Sequence, residues 1–405
     1  MIQAPLKIAQ LYIQDHGPFQ NFQLDLTYPE NHPKAGQAMD QICIIGESST
    51  RKSQLLDLMV DYLRNTLRYK SKKLFLAKLQ LGERFVYGVH LNNTVLFFRD
   101  EIDESPAWLT DLLRDQTFTI AFNQQYEQYC IGFQEEPELF DHLWLDNNGH
   151  DLICHLPVQF EKDQTWHLAD VPLTKGHEAE SLQQTFPLYN EISPDKVSDF
   201  WALLVFLFAR RQEAWQQFQK NPEQKSLSSE QMMAQFDAQY SDVLTGLVHA
   251  WGPILESENL EIDPESLRLP LHIRERLHLQ LRDKTTQKVV PFGDLDTGIR
   301  HLMFKLGHLW ALGFQRQVRT SFRIWEEPES HLHPSQLEAS LHGIMDATMP
   351  GQSIFTTNSP QFARQFEPIS RILLRTNRNG IMESSKGQAS KSANWEEFVS
   401  SDFKP

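Results

Sequence analysis

The sequence predicts a mixed α/β fold built around a phosphate-binding loop, and three consecutive stretches carry that prediction. "QICIIG" (41–46) is a short, isoleucine-rich apolar run of the kind that forms a strand buried on both faces. "GESSTRKS" (46–53) follows it. "KSQLLDLMVDYLRNTL" (52–67) then repeats apolar residues at helical spacing, with Leu55, Leu56, Met59, Val60 and Leu63 on one stripe. Strand, loop, helix is the order such a site requires, because the helix N-terminus turns its free NH groups toward an anion.

Within the loop, Gly46, Lys52 and Ser53 stand where the pattern GxxxxGK[ST] places its first glycine, its lysine and its hydroxyl; Arg51 occupies the remaining glycine position. The lysine neutralises β- and γ-phosphates, the hydroxyl ligates Mg2+, and backbone NH groups of the loop converge on the phosphates. The expected nucleotide-binding set is therefore Gly46, Ser49, Thr50, Arg51, Lys52, Ser53 and Gln54. Glycine is often chosen at that position for its access to positive φ, so arginine there is expected to cost roughly 1–3 kcal/mol of strain unless its surroundings enforce the conformation. This weakens nucleotide binding without abolishing it.

The other elements follow in order. Residues 6–27 alternate apolar and polar around "HGPF", as an antiparallel hairpin does. From 84 to 160 the runs "RFVYGVHL", "TVLFFRD", "FTIAF", "YCIGF" and "DLICHLPVQF" predict an antiparallel sheet beside the loop, with "NN" and "NNG" marking turns. Residues 161–193 are polar and irregular. A long helix starts at Ser193 and Pro194 as N-cap and N1. Its roughly 27 residues span about 40 Å at 1.5 Å per residue. A second helix, "QMMAQFDAQYSDVLTGLVHAWGPIL", completes a short arm. After 260 come strands near "LPLHI" and "LHLQLRD", a helix from 297, a strand "SFRIW", a helix after "HPSQLEASLHGIM", a strand "QSIFTTN" and a Ser/Lys-rich tail, "ESSKGQASKSAN". The expected organisation is an N-terminal lobe (1–192), a helical insertion (193–258) and a C-terminal lobe (259–405).

Composition narrows the chemistry. With 53 acidic and 38 basic residues the net charge is -15, which opposes non-specific attraction to a nucleic-acid backbone. Cys43, Cys130 and Cys154 stand singly, which suggests neither a zinc site nor a disulfide framework and fits a cytoplasmic protein. The longest apolar stretch, "FWALLVFLFA" (200–209), is too short to span a bilayer.

A second motif supports the first. "SFRIWEEPESHLHP" (321–334) is an apolar strand ending in two carboxylates and an acidic, histidine-bearing turn. A carboxylate at the end of a strand can hold the Mg2+ shell, and its neighbour can orient and deprotonate an attacking water. Glu326 is assigned the metal, together with Ser53, and Glu327 the catalytic water.

On these motifs, residues 1–375 resemble the ATP-binding-cassette (ABC) ATPase heads of the SMC, RecF and overcoming-lysogenization-defect type. The "EEPESHLHP" block is closest to the "DEPExxLHP" block of soluble ATPases in bacterial anti-phage modules. The resemblance implies a P-loop NTPase fold with a mixed sheet, an adjoining antiparallel sheet and a short helical insertion. It implies ATP and Mg2+ as ligands. It places a signature helix at "GDLDTGIRHLMFKL", with Gly298 at the family's glycine and Asp296 at its serine. It places the switch residue, usually histidine, at Asn358 in "IFTTNSP".

Four positions depart from that pattern: Arg51, Glu326 for aspartate, Asp296 and Asn358. Asn358 can hydrogen-bond a phosphate or water but carries no charge, so hydrolysis should slow. Asp296 directs an anion at a neighbour's triphosphate unless it is paired or turned away, and Arg300 stands one turn on.

The family's arrangement also implies a homodimer or higher oligomer with ATP sandwiched between copies. About 45 residues follow "TTNSP", fewer than an independent domain needs, so a separate effector nuclease is expected, with any nucleic acid met through that partner. A RecF-like repair ATPase and an inactive nucleotide-bound scaffold are the alternatives. The basic run "RYKSKKLFLAK" (68–78) reads as a solvated helix end. The turn bearing Glu329, His331 and His333 reads as part of the dimer interface rather than a zinc site. The Phe/Trp stripe after 200 reads as core or subunit contact. Gln124 and Gln159 are equal candidates for the family's Q-loop glutamine.

Overall fold

The structure, a computed structural model, describes residues 6–47, 50–65, 75–91, 94–99, 130–131, 153–156, 171–172, 189–191, 197–221, 227–239, 243–263, 276–277, 280–316, 322–330, 332–333, 344 and 351–387. In chain order the elements are β1 (Leu6–His16), β2 (Phe19–Asp25), β3 (Gln41–Ile45), α1 (Lys52–Asn65), β4 (Phe75–Leu81), β5 (Arg84–Leu91), β6 (Thr94–Arg99) and β7 (Cys130–Ile131). The short strands β8 (Ile153–Leu156), β9 (Val171–Pro172) and β10 (Tyr189–Glu191) lead to helices α2 (Val197–Lys220), α3 (Ser229–Gln239) and α4 (Val243–Ser257). Then come β11 (Leu260–Ile262), β12 (Arg276–Leu277), β13 (Leu281–Asp283), β14 (Val289–Val290) and α5 (Thr297–Arg316). The chain continues with β15 (Phe322–Glu326), β16 (Gln352–Thr357), α6 (Pro360–Ala363), β17 (Arg371–Thr376) and β18 (Met382–Lys386). The fold is mixed α/β and divides into two compact units, one formed by 1–155, 319–328 and 348–405, the other by 156–318 and 329–347.

The first unit contains two sheets. The antiparallel one runs in the order β2-β1-β4-β5-β6, with β7 added in parallel to β6. Its first hairpin turns at Gly17, whose φ of +59° is one that glycine adopts without strain. In β2 the inward positions Phe19, Phe22 and Leu24 are buried, and the residues between them are exposed. β4 was not foreseen: the basic run 68–78 reads as a helix end, yet from Phe75 the chain is a strand. Ala77 and Leu79 face the core while Lys78 lays its ammonium 4.4 Å from the Phe85 ring centroid. Residues 68–74, the rest of that run, lie outside the described residues.

The second sheet supplies the scaffold of the candidate site. Five of its strands are adjacent in the order β15-β16-β3-β17-β18, the first four parallel and β18 antiparallel at the edge. The β17–β18 hairpin takes in the start of the stretch read as a Ser/Lys-rich tail. Ile42, Cys43, Ile44 and Ile45 are fully buried, as a strand covered on both faces should be.

Polar contacts, one set of them buried, tie the two sheets together. The Gln352 amide accepts from Ile8 N and donates to Ile8 O and Met39 O, so it satisfies backbone groups that would otherwise be orphaned. Lys386 of β18 pairs with Asp25 at 2.8 Å and donates to Thr27 O. Asp40, just before β3, accepts from Lys7 and Lys34. Burial pushes its carboxyl up, but those hydrogen bonds outweigh burial and the net shift is downward. The stabilisation from this lowered carboxyl is present at neutral pH and is lost as the pH falls through it.

The second unit is mainly helical, with a small antiparallel sheet β11-β13-β14. Leu204, Leu207 and Phe208 of α2 are buried. The sequence suggests one second helix; the structure has two, α3 and α4, with 240–242 outside the described residues. α2 and α3 are joined by the Arg211–Asp237 ion pair and by Trp215, Phe218 and Phe236, whose ring centroids lie 5.0–6.2 Å apart. α4 and α5 pack closely: Trp251 Nε1 donates to Met303 O at 2.6 Å, and a Cβ at Gly246 would run into the Trp310 ring. Among the described residues no helix is long and apolar enough to cross a membrane.

Candidate functional site

The loop after β3 is held by hydrogen bonds to β16 and within itself. Gly46 N donates to Thr357 O at 3.4 Å, Thr50 N donates to Glu47 O at 2.9 Å, and Thr50 Oγ1 donates to the same carbonyl at 2.6 Å. Arg51 has φ +55°, the left-handed conformation anticipated for the glycine position. Lys52 opens α1 with its side chain almost wholly buried, and Nζ donates back to Gly46 O at 2.8 Å and Glu47 O at 3.1 Å. The lysine thus spans the loop and closes it into a ring with the ammonium inside. Ser53 is exposed on the first turn of α1. Gln54, beside it, lies under the first hairpin: a Cβ on Gly17 would stand 3.7 Å from its Nε2. Ser49 lies outside the described residues.

Parallel register brings the acids to this loop. Glu326 pairs with Thr356 across β15–β16, and Thr357 pairs with Ile45 across β16–β3, so three strand C-termini end side by side. Glu326 is buried. Glu327 N donates to Thr356 O at 3.0 Å, which holds the chain one residue past the end of β15. Its φ is +38°, a strained value for a side-chain-bearing residue, and its carboxylate lies with Oε1 3.8 Å from Lys52 Nζ. Asn358 is exposed at the end of β16, between the loop and the acids, and Ser359 caps α6 by accepting from Phe362 N.

One consequence can be tested directly. A Cβ on Gly46 would collide with Thr50 Oγ1 and stand 3.2 Å from Leu374 O. Gly46→Ala is therefore expected to push Thr50 off Glu47 O and open the loop, destabilising the protein by about 1–3 kcal/mol. Thermal denaturation should show the lower Tm, and titration with ATP the weaker binding.

The residues aligned with the signature helix lie in the second unit and are described by themselves. Asp296 is the N-cap of α5: its Oδ1 accepts from Gly298 N at 2.9 Å, and its carbonyl accepts from Arg300 N at 2.9 Å. Arg300 Nη2 donates to Thr297 Oγ1 at 3.0 Å. Gly298 is buried in the first turn. The carboxylate thus satisfies an NH at a helix start that would otherwise face an incoming anion. Gln124, Gln159 and His331 lie outside the described residues.

The donors present fit a magnesium triphosphate. Lys52 brings charge, Ser53 a hydroxyl and Glu326 a carboxylate, and the loop backbone is shaped so that Gly46 tolerates no side chain. Among the described residues no group of three or more His, Cys, Asp or Glu forms a metal cage. Magnesium bound through one or two protein oxygens and completed by phosphate and water matches this set. Sequence reasoning missed the Thr50–Glu47 lock and the left-handed Glu327. The first is implicit in the hydroxyl beside the loop's last turn; the second has no local signal.

Residues of this chain match one family model, and several solved structures are similar to it at low identity. Residues 311–390 match a family described as protein of unknown function (DUF2813). No curated protein matches the chain. Among solved structures, the Smc head domain with an extended coiled coil bound to the C-terminal domain of ScpA from Pyrococcus furiosus is similar at TM-score 0.45 and 11% identity, over 94% of this chain and 96% of that one. The SMC head domain from Thermotoga maritima is similar at TM-score 0.41 and 9% identity, over 95% and 100%. The SmcHead bound to the C-winged helix domain of ScpA is similar at TM-score 0.39 and 9% identity, over 93% and 96%.

Proposed function

We propose that this chain is an ABC-type ATPase head that binds ATP with magnesium on the loop 46–54 and hydrolyses it slowly, serving as a nucleotide-gated switch. The observation that carries this is the approach of Glu327 Oε1 to within 3.8 Å of Lys52 Nζ, which unites the loop lysine and the strand-end acid in one unit. Lys52 would neutralise the β- and γ-phosphates. Ser53 and Glu326 would hold the magnesium, which supplies charge neutralisation between those phosphates. Glu327 would orient and deprotonate the attacking water, and Asn358 would hydrogen-bond it or the γ-phosphate.

Two features support slow turnover. Asn358 brings no positive charge, and Asp296 already occupies the first turn of α5. A dimer with ATP between two copies follows from the ABC reading.

The finer role, a subunit of an anti-phage module that gates a separate nuclease, is supported by the "EEPESHLHP" block alone. The acidic charge of -15 favours it over a RecF-like repair ATPase. ATP turnover measured with and without double-stranded DNA tests the reading. Slow, magnesium-dependent turnover indifferent to DNA is expected. DNA stimulation would favour the repair ATPase, and tight binding without turnover a scaffold.

A further inference from the structure

Arg51 poses a problem that the loop's geometry states clearly. Its φ of +55° costs an arginine free energy that glycine would not spend. Nothing among the described residues offsets that cost: the side chain is exposed, and its guanidinium has no hydrogen-bond or ion-pair partner. Its backbone carbonyl does accept from Leu55 N, but a glycine would do the same. Meanwhile Lys52, the loop's other cation, is buried and engaged by two carbonyls and the Glu327 carboxylate. The 14-residue α1 that begins here has no acid in its first turn. The mouth of the loop thus presents one free positive charge on a backbone strained to hold it.

We infer that Arg51 is a second phosphate-binding residue, whose guanidinium adds a charge-assisted contact to the triphosphate and offsets its backbone strain once the anion is bound. Arginine suits this task because its planar, permanently charged donors can bind two phosphate oxygens at once. The inference rests on the proposal that this loop binds ATP, and it reverses the expectation that arginine merely weakens the loop.

The test separates charge from strain. ATP and inorganic tripolyphosphate are titrated calorimetrically into wild-type, Arg51→Gly, Arg51→Gln and Arg51→Lys protein, and each variant is thermally denatured. Arg51→Gly is expected to melt above wild type, because the strain is gone, yet to bind both probes about tenfold more weakly. Arg51→Gln, which keeps a side chain but not the charge, should show the same loss, and Arg51→Lys should recover most of the affinity. Arg51→Gly protein that binds as tightly as wild type or more tightly overturns the inference while leaving the ATP reading intact. Wild-type protein that binds neither probe overturns both.

Discussion

Lys52→Ala protein is expected to lose ATP binding by a factor of about 30 to several thousand, equivalent to roughly 2–5 kcal/mol, while remaining folded. The reason is visible in the loop. Nζ donates to Gly46 O and Glu47 O and sits 3.8 Å from Glu327, so truncation removes the phosphate's main counter-charge and the strut that closes the ring. It also removes the cation 3.8 Å from the Glu327 carboxylate, adding repulsion toward a triphosphate. Calorimetric titration with ATP checks this, and circular dichroism checks the fold. Affinity within threefold of wild type would mean that the lysine is a structural strut only.

Glu327→Gln is expected to act in the opposite sense on binding and catalysis. Glutamine keeps the shape of the side chain but cannot take a proton from water, so turnover should fall about 10²- to 10⁴-fold. Binding should hold or improve, because the carboxylate that competes with phosphate for Lys52 is gone. A steady-state ATPase assay beside an ATP titration reads the two effects separately. Equal turnover in the variant would remove Glu327 from the chemistry and leave it as the lysine's counter-ion.

The sequence reveals most where neighbours in the chain are also neighbours in space. β3, the loop and α1 are consecutive, so their periodicities and the GxxxxGK[ST] spacing locate them without tertiary information. The strand ending in Glu326 and Glu327 is equally local. What brings these segments together is not. β16 lies between β15 and β3, and parallel pairing over such separations leaves no periodic trace in either segment. β4 is hard to see in the sequence because lysines precede and interrupt "FLAKLQL", and their charge masks the strand's alternation.

Glu327's left-handed backbone is likewise a tertiary product. Thr356 O fixes its NH, and Pro328 follows it, restricting the backbone further. At Arg51 the positive φ was legible, because the motif expects glycine there. The sequence leaves Asp296 aimed at a neighbour's triphosphate unless paired or turned away; in the structure its carboxylate bonds to the start of its own helix, and the preference of aspartate for N-caps is the signal for that outcome.

In the proposed function Lys52, Ser53, Glu326 and Glu327 converge on one magnesium triphosphate. A crystal structure with magnesium and a non-hydrolysable ATP analogue tests it most directly. Lys52 Nζ is expected within hydrogen-bonding distance of the β- and γ-phosphates, and magnesium on Ser53 Oγ with Glu326 in its shell. The Glu327 carboxylate is expected to be turned from the lysine toward the water behind the γ-phosphate. Nucleotide bound elsewhere on the chain, with Lys52 still paired to Glu327, would contradict it.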